Sequence, residues 1–161
     1  MNIILDMDGT LINDKMEPRP HLKDFFRYIF EKFNHVSIWT LASVQWYTMA
    51  YERVFKPLLP LGKSFHFVWC RVNYKVSQPS ILGGIFSMNL ASTGTGIIKP
   101  LTEVYKRFPI VYNPYNTLIV DDTPFTYSEN PGNAIKVSTF GNNMGDRELP
   151  DIIYRLRGIF P

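Results

Sequence analysis

Two pairs of carboxylates stand where chemistry is possible. Asp6 and Asp8 follow the apolar run Ile3-Ile4-Leu5 and precede Gly9 and Thr10, while Asp121 and Asp122 follow Thr117-Leu118-Ile119-Val120 and precede Thr123 and Pro124. Each apolar run reads as a short buried strand that delivers its carboxylates into a turn. Carboxylates crowded into a small space either share a proton or hold a divalent cation through oxygen. Side chains two apart on an extended strand share a side, so Asp6 and Asp8 converge if the strand persists. Gly9 argues that it does not persist, because glycine permits a sharp departure and bares backbone N–H groups to an anion. One acidic turn could be plain solvated surface; two of them, each ending an apolar strand, make coincidence a poorer explanation.

A hydroxyl and a lysine suit the same chemistry. Val36-Ser37-Ile38-Trp39 reads as a strand running into Thr40, whose hydroxyl either reaches a phosphate oxygen or merely ends the strand. Lys99 directly precedes Pro100, which is expected in the first turn of a short helix through Leu101, Val104, Tyr105 and Phe108, so the lysine stands at the helix end that cations avoid. A lysine turned toward several carboxylates and a phosphate would neutralise charge there. Brought to one sheet edge, this set suits phosphoryl transfer, with Mg²⁺ and Lys99 offsetting charge on the phosphoryl oxygens while one carboxylate attacks. Asp6, ending its strand, is the better-placed nucleophile. Asp8, on the turn, is placed to protonate the leaving oxygen and later to activate the hydrolytic water.

The elements that would position these residues alternate between strand and helix. Leu22, Phe25, Phe26, Ile29, Phe30 and Phe33 recur at the spacing of one buried helical face, with Pro20 in the first turn. With the strands on either side they give a parallel βαβ unit, whose ligand crevice lies outside the carboxyl ends of the strands. Ser43 is placed to cap a helix over Val44 to Phe55, which Pro57 and Pro60 are expected to break. Phe65 to Cys70 reads as a third strand and Ala134 to Val137 as the last. Asp146 is placed to cap a final helix with Pro150 in its first turn and Leu149, Ile152, Ile153, Leu156 and Phe160 on its apolar face. Residues 77–96 carry no charge and collect four glycines with serine and threonine. Their apolar members argue against a plain linker, leaving a small hairpin or flap beside the site, or an ordinary packed loop.

Composition bounds the rest. In 161 residues, 45% hydrophobic content with 12 Phe and 9 Tyr supplies a core for one domain. A net charge of +3 from scattered Lys and Arg supports nucleic acid as a partner only weakly. The single Cys70 forms no internal disulfide and fits a reducing compartment. No apolar run is long enough to span a membrane and no signal peptide is apparent, so a soluble intracellular protein is expected, cytoplasmic or nuclear. The position six after Cys70 is Val76, which removes the Cys-to-Arg loop of thiol phosphatases, and the segment around Lys99 lacks Walker A spacing.

In order and type, Asp6-Met7-Asp8-Gly9-Thr10, Thr40, Lys99 and Asp121-Asp122 resemble the four motifs of the haloacid dehalogenase superfamily of phosphohydrolases. Arg19-Pro20, Trp39-Thr40-Leu41-Ala42-Ser43, Ile98-Lys99-Pro100-Leu101, Val120-Asp121-Asp122-Thr123-Pro124, Asn133-Ala134-Ile135 and Asp146-Arg147-Glu148-Leu149 look like the branch of phosphatases of the RNA polymerase II C-terminal domain. The resemblance covers nearly the whole chain apart from residues 77–96. It implies an α/β fold, a Rossmann-like three-layer parallel sheet (haloacid dehalogenase-like) with no large cap. Residues 1–161 would be one phosphatase domain, with a small insert or flap at about 71–98. It implies an Mg²⁺-dependent phosphatase that passes through an aspartyl-phosphate, with a phosphoserine or phosphothreonine protein or peptide as substrate. Asp6 would be the nucleophile and Asp8 the acid/base whose backbone carbonyl meets Mg²⁺; Thr40 and Lys99 would contact phosphate. Thr10 would steady the turn or the phosphate. Asp122 would be the direct metal ligand of the last pair, and Asp121 would hold Lys99 or a metal-bound water. Two positions depart from the branch: Gly9 stands where glutamate is usual, as in polynucleotide and small-molecule phosphatases of the wider superfamily, and Asp122 where small phosphatases more often carry asparagine. A polynucleotide or small-molecule phosphomonoesterase is therefore the alternative within the superfamily, and a phospho-receiver or silent adaptor the alternative outside it.

Overall fold

The structure, a computed structural model, describes residues 1–71 and 98–159 together with the strand backbone of residues 85–88, 92–93 and 96–97. Strands β1 (Asn2–Leu5), β2 (His35–Trp39), β3 (Val68–Arg71) and β4 (Ile85–Met88) are followed by the short pair β5 (Ser92–Thr93) and β6 (Gly96–Ile97), then by β7 (Thr117–Asp121) and β8 (Ala134–Lys136). Six of them form one sheet in the order β4-β3-β2-β1-β7-β8, with every pairing parallel. This is the Rossmann-like α/β sheet the sequence implies. The connection reverses direction on either side of β1, so the switch point, where ligands of such sheets bind, lies at the end of the strand that carries Asp6.

Register decides which residues meet there. Leu5 pairs with Ile38 on one side and Val120 on the other. Asp6 N–H continues the ladder to the Val120 carbonyl at 2.8 Å, and Thr40 N–H does the same to Trp69 at 2.8 Å. The carboxyl ends of β1, β2 and β7 thus deliver Asp6, Thr40 and Asp121 to one edge.

The period of two along each strand separates the two faces. Ile3, Leu5, Val36 and Ile38 pack on one side under helices α1 (Leu22–Lys32), α2 (Val44–Ala50) and α5 (Glu148–Ile159). Ile4, Trp39 and Ile119 pack on the other under α4 (Leu101–Arg107) with Phe67, Trp69 and Tyr112. Ser37, a polar residue on that face, is fully buried and satisfied by the Tyr112 hydroxyl at 2.9 Å, which also meets His66 Nδ1 at 3.0 Å.

Three local expectations change. Pro57 does not break the second helix. After α2 the chain passes through a π-helical turn at Tyr51–Phe55 into α3 (Lys56–Leu58), with Lys56 N–H bonded to the Tyr51 carbonyl. That wider turn sits where the proline ring would crowd the carbonyl four residues back, and the helix ends at Leu59 instead. Pro20 lies outside the first helix, because His21 is the left-handed cap (φ 66°) and the helix begins at Leu22. Pro100 is likewise the cap of α4 rather than a member of its first turn. Within the uncharged interval, β4 joins the main sheet and β5 pairs antiparallel with β6. The rest of the interval, where a flap or a packed loop is expected, lies outside the described residues.

Candidate active site

Beyond Leu5 the chain turns back on itself. The Met7 carbonyl accepts from the N–H groups of Thr10, Leu11 and Ile12, and Gly9 takes φ +75°, donating to the Ile12 carbonyl at 2.8 Å. Asp6 and Asp8 therefore diverge rather than share one side. Asp6 faces Lys99 Nζ at 2.5 Å and the Thr10 hydroxyl at 3.2 Å. Asp8 faces Trp46 Nε1 at 2.7 Å through one oxygen and the Thr40 hydroxyl at 3.4 Å through the other.

Lys99 arrives from the loop before α4 and bridges two strands. Its ammonium is 1% exposed, 2.5 Å from Asp6 and 2.7 Å from Asp121. Its backbone is equally fixed: the carbonyl accepts from Asn130 Nδ2 at 2.8 Å, and Asn130 Oδ1 accepts from Leu101 N–H at 3.0 Å. Thr126 adds its carbonyl to Lys99 N–H and its hydroxyl to Asp121 at 2.8 Å. The turn that holds Lys99 is thus the one that follows the second acidic pair. An exposed helix-entrance lysine would be at odds with the dipole; here two buried carboxylates outweigh it.

Asp6, Asp8, Thr40, Lys99, Asp121, Thr123 and Thr126 line one open cavity of about 270 Å³ together with Leu41 and Ala42. That volume admits a phosphoryl group and the first atoms of its carrier. Thr10 is fully buried and turned inward. Its hydroxyl lies 3.2 Å from Asp6 and 3.3 Å from Asp122 and accepts from Asp122 N–H at 3.2 Å, so it ties the two acidic turns together. Asp6, Asp121 and Asp122 each offer one oxygen, all within 4.8 Å of one another. The Asp8 carboxylate, held by Trp46, is not part of that group.

The charges are strongly perturbed. Burial pushes the Asp6 carboxyl up to about 7, against the pull of Lys99 and with a further push from Asp121 and Asp122. Burial also raises Asp8, and the bonds from Trp46 and Thr40 oppose it. For Lys99 burial works against the ammonium, but Asp6 and Asp121 overcome this and its pKa rises. Cys70 is buried and its thiol is pushed up to about 12, by burial first and then by Asp8, so it is no nucleophile.

Behind the acidic turn stands Arg19, 1% exposed. Its Nη1 donates to the carbonyls of Thr10 (3.1 Å) and Gly9 (3.4 Å), and Nη2 to that of Ser138 (2.9 Å). Nε and Nη2 form a fork on Asp146 at 2.9 and 2.8 Å. Asp146 also accepts from Glu148 N–H at 3.0 Å, so the expected helix cap is at the same time an anchor for the turn. Neither Arg19 nor Trp46 nor Asn130 is singled out for the site by pattern alone. Asn130 lies in an Asn-Pro-Gly-Asn segment that signals only a turn, and Trp46 falls in a first helical turn behind its Ser43 cap.

The same residues can be set beside known proteins. Residues 1–160 match the family model described as NLI interacting factor-like phosphatase. The chain belongs to this family. Among its relatives are proteins named ubiquitin-like domain-containing CTD phosphatase 1 from Danio rerio, 26% identical over 96% of this chain and 46% of the relative, and from Homo sapiens, 24% identical over 98% and 49%. The protein named ubiquitin-like domain-containing CTD phosphatase from Arabidopsis thaliana is 25% identical over 96% of this chain and 44% of the relative. The chain spans about half the length of these relatives. Family membership accords with the acidic edge of the sheet: all four motif regions of the chain meet in it.

Proposed function

We propose that the chain is an Mg²⁺-dependent protein phosphatase acting on phosphoserine or phosphothreonine through an aspartyl-phosphate on Asp6. The observation that carries this reading is the convergence of Asp6, Asp8, Thr40, Lys99 and Asp121 on one open cavity at the switch point of the sheet. Membership in a phosphatase family supports it, as do the names of the relatives, which are CTD phosphatases. In this account residues 1–161 work as one phosphatase unit, and an open mouth admits a side chain carried on a protein.

The chemistry follows from the positions. An Asp6 oxygen attacks phosphorus along the line of the leaving oxygen, while the Thr40 hydroxyl and the Lys99 ammonium bind the phosphoryl oxygens. Asp8 gives a proton to the leaving oxygen, a role favoured by the upward shift that burial imposes on its carboxyl. In the second half, Asp8 takes a proton from the water that attacks phosphorus and frees Asp6. The three carboxylates Asp6, Asp121 and Asp122 make an all-oxygen donor set that fits a hard divalent cation. Asp6, Asp122 and the Asp8 backbone carbonyl would hold Mg²⁺, with Asp121 engaged on Lys99. When bound, the ion supplies charge stabilisation to the phosphoryl oxygens.

Gly9 has a conformational role beside its bearing on the substrate. A Cβ at that position would lie 2.6 Å from Asp122 Oδ2 and 3.1 Å from the Thr139 methyl, at a φ of +75°. The backbone conformation favours glycine there, and a side chain would have to push the Asp122 carboxylate aside. Gly9→Ala is expected to lower stability by about 1–2 kcal/mol and, by displacing Asp122, to raise the Mg²⁺ concentration for half-maximal turnover. Thermal melts and an Mg²⁺ titration of activity check both; an unchanged titration would remove Asp122 from the metal site.

The substrate class is tested with phosphoserine and phosphothreonine peptides against nucleotides and 3′-phosphorylated DNA. Mg²⁺-dependent release of phosphate from the peptides, stopped by chelator, is expected. Preference for nucleotides or DNA would favour the phosphomonoesterase alternative, and stable phosphorylation by a small donor without turnover would favour a receiver. No described helix is long and apolar enough to cross a membrane; an intracellular site of action, cytoplasmic or nuclear, belongs to this proposal.

A further inference from the structure

Asp8 is the proton carrier of the proposed reaction, and one of its oxygens is already engaged. The indole Nε1 of Trp46 lies 2.7 Å from Asp8 Oδ1, the shortest polar contact Asp8 makes. An indole N–H donates and cannot accept, so Oδ1 must act as an acceptor in either protonation state of Asp8. When Asp8 carries a proton, that proton is left to Oδ2, which lies 3.4 Å from the hydroxyl of Thr40, a residue of the cavity lining.

Trp46 is itself held in place. Ser43 caps α2 by accepting from Trp46 N–H at 3.2 Å, and Tyr47 N–H bonds to the Ser43 carbonyl at 3.0 Å. The preceding loop is fixed by Ala42 N–H on the Thr40 hydroxyl at 3.0 Å and by Arg71 N–H on the Ala42 carbonyl at 2.8 Å. An indole carried on a capped helix therefore orients a carboxyl group that sits on a turn, a supporting contact of the kind that sets catalytic geometry. Trp46 itself is absent from the cavity lining, so it acts through Asp8 and does not touch the phosphoryl group.

We propose that Trp46 is a positioning residue for leaving-group protonation: it anchors Oδ1 of Asp8 so that the transferable proton sits on Oδ2, facing the ester oxygen. The inference rests on the phosphatase reading and extends it. In the step concerned, an Asp6 oxygen bonds to phosphorus and the bond from phosphorus to the ester oxygen breaks. The electron pair stays on that oxygen, and the Asp8 Oδ2 proton goes to it. A poor leaving group such as a serine alkoxide needs that proton; a strongly acidic phenol does not.

The test compares kcat/KM, which reports the chemistry up to phosphoryl transfer, for a phosphoserine peptide and for 2,4-dinitrophenyl phosphate. For Trp46→Phe the peptide value is expected to fall by about 30-fold or more and the dinitrophenyl value by less than about threefold, within the range of general-acid contributions. In an Asp8→Asn background the substitution should add no further selectivity between the two substrates. An equal fall on both substrates, or no fall on either, would overturn the assignment. Should Trp46→Phe fail to fold, 3-benzothienylalanine at position 46 keeps the ring shape, lacks the N–H and must give the same split. Wild-type protein inactive on both substrates would remove the phosphatase reading and this inference with it. Wild-type activity with no split in the variant removes the inference alone.

Discussion

Asp6→Asn is expected to abolish turnover and to make the protein more stable. Loss of the attacking oxygen costs about 10⁴-fold or more, the scale seen when a nucleophile is removed. The stability gain comes from the environment of the carboxyl group. Burial raises Asp6 from its ordinary value to about 7, so the folded state favours the protonated form. The associated stability is fully present below the ordinary carboxylate pKa of 3.8 and is lost as pH rises through about 7. At pH 8 in chelator the ionised Asp6 therefore carries the whole penalty, while asparagine carries none and leaves Asp121 to pair with Lys99. Thermal melts in chelator should show the variant above wild type at pH 8, by on the order of a few kcal/mol, and the gap should close toward pH 4. A variant less stable than wild type at pH 8 would mean that the Asp6–Lys99 pair stabilises more than the buried carboxylate costs.

Arg19→Met is expected to be the most damaging change outside the cavity. It strands Asp146, strips donors from the carbonyls of Gly9, Thr10 and Ser138, and loosens the turn that bears Asp8. Breaking a buried pair from one side costs about 3–5 kcal/mol. A misplaced reacting group costs roughly 10²-fold in rate. Arg19→Lys should rescue neither, since an ammonium cannot reproduce the fork on Asp146 while reaching three carbonyls. The pair also shapes the acid limb of stability. The hydrogen bond from Arg19 holds Asp146 below the ordinary carboxylate range; burial opposes it as the next largest effect, and the Glu148 N–H and the charges of Arg19 and His21 add to the lowering. Its contribution is thus complete above the ordinary carboxylate pKa and is lost as pH falls through the lowered one. Urea denaturation at pH 3 and pH 7 should show Asp146→Asn costing most at pH 7. An equal cost at both would deny the pair this role.

The residues most legible in the sequence are those whose chemistry ends a strand. Asp6, Thr40 and Asp121 each follow an apolar run, and parallel register at a switch point brings such ends together without further information. Lys99 is legible because a cation at a helix entrance contradicts the dipole. What is hidden is the set of contacts between distant side chains: Arg19 to Asp146, Asp8 to Trp46, Lys99 to Asn130. Each joins residues from separate elements, and local periodicity carries no record of which side chain will face which. Pro57 misleads for a related reason. Its cost in a helix depends on the preceding turn, and a π-helical turn there accommodates it. Gly9 carries a conformational message as well as a chemical one, since Asp122 occupies the space a side chain would need.

The most direct test of the account is to trap the intermediate. Protein turning over a phosphopeptide with Mg²⁺ is quenched in acid and treated with borohydride, which reduces an aspartyl-phosphate to homoserine, and the modified position is read by mass spectrometry. Homoserine is expected at position 6 and absent in chelator; in an Asp8→Asn variant it is enriched when 2,4-dinitrophenyl phosphate, whose leaving group needs no proton, replaces the peptide, because only release of the phosphoryl group slows. Modification at Asp8, Asp121 or Asp122 instead, or full turnover with no modified residue, would contradict it.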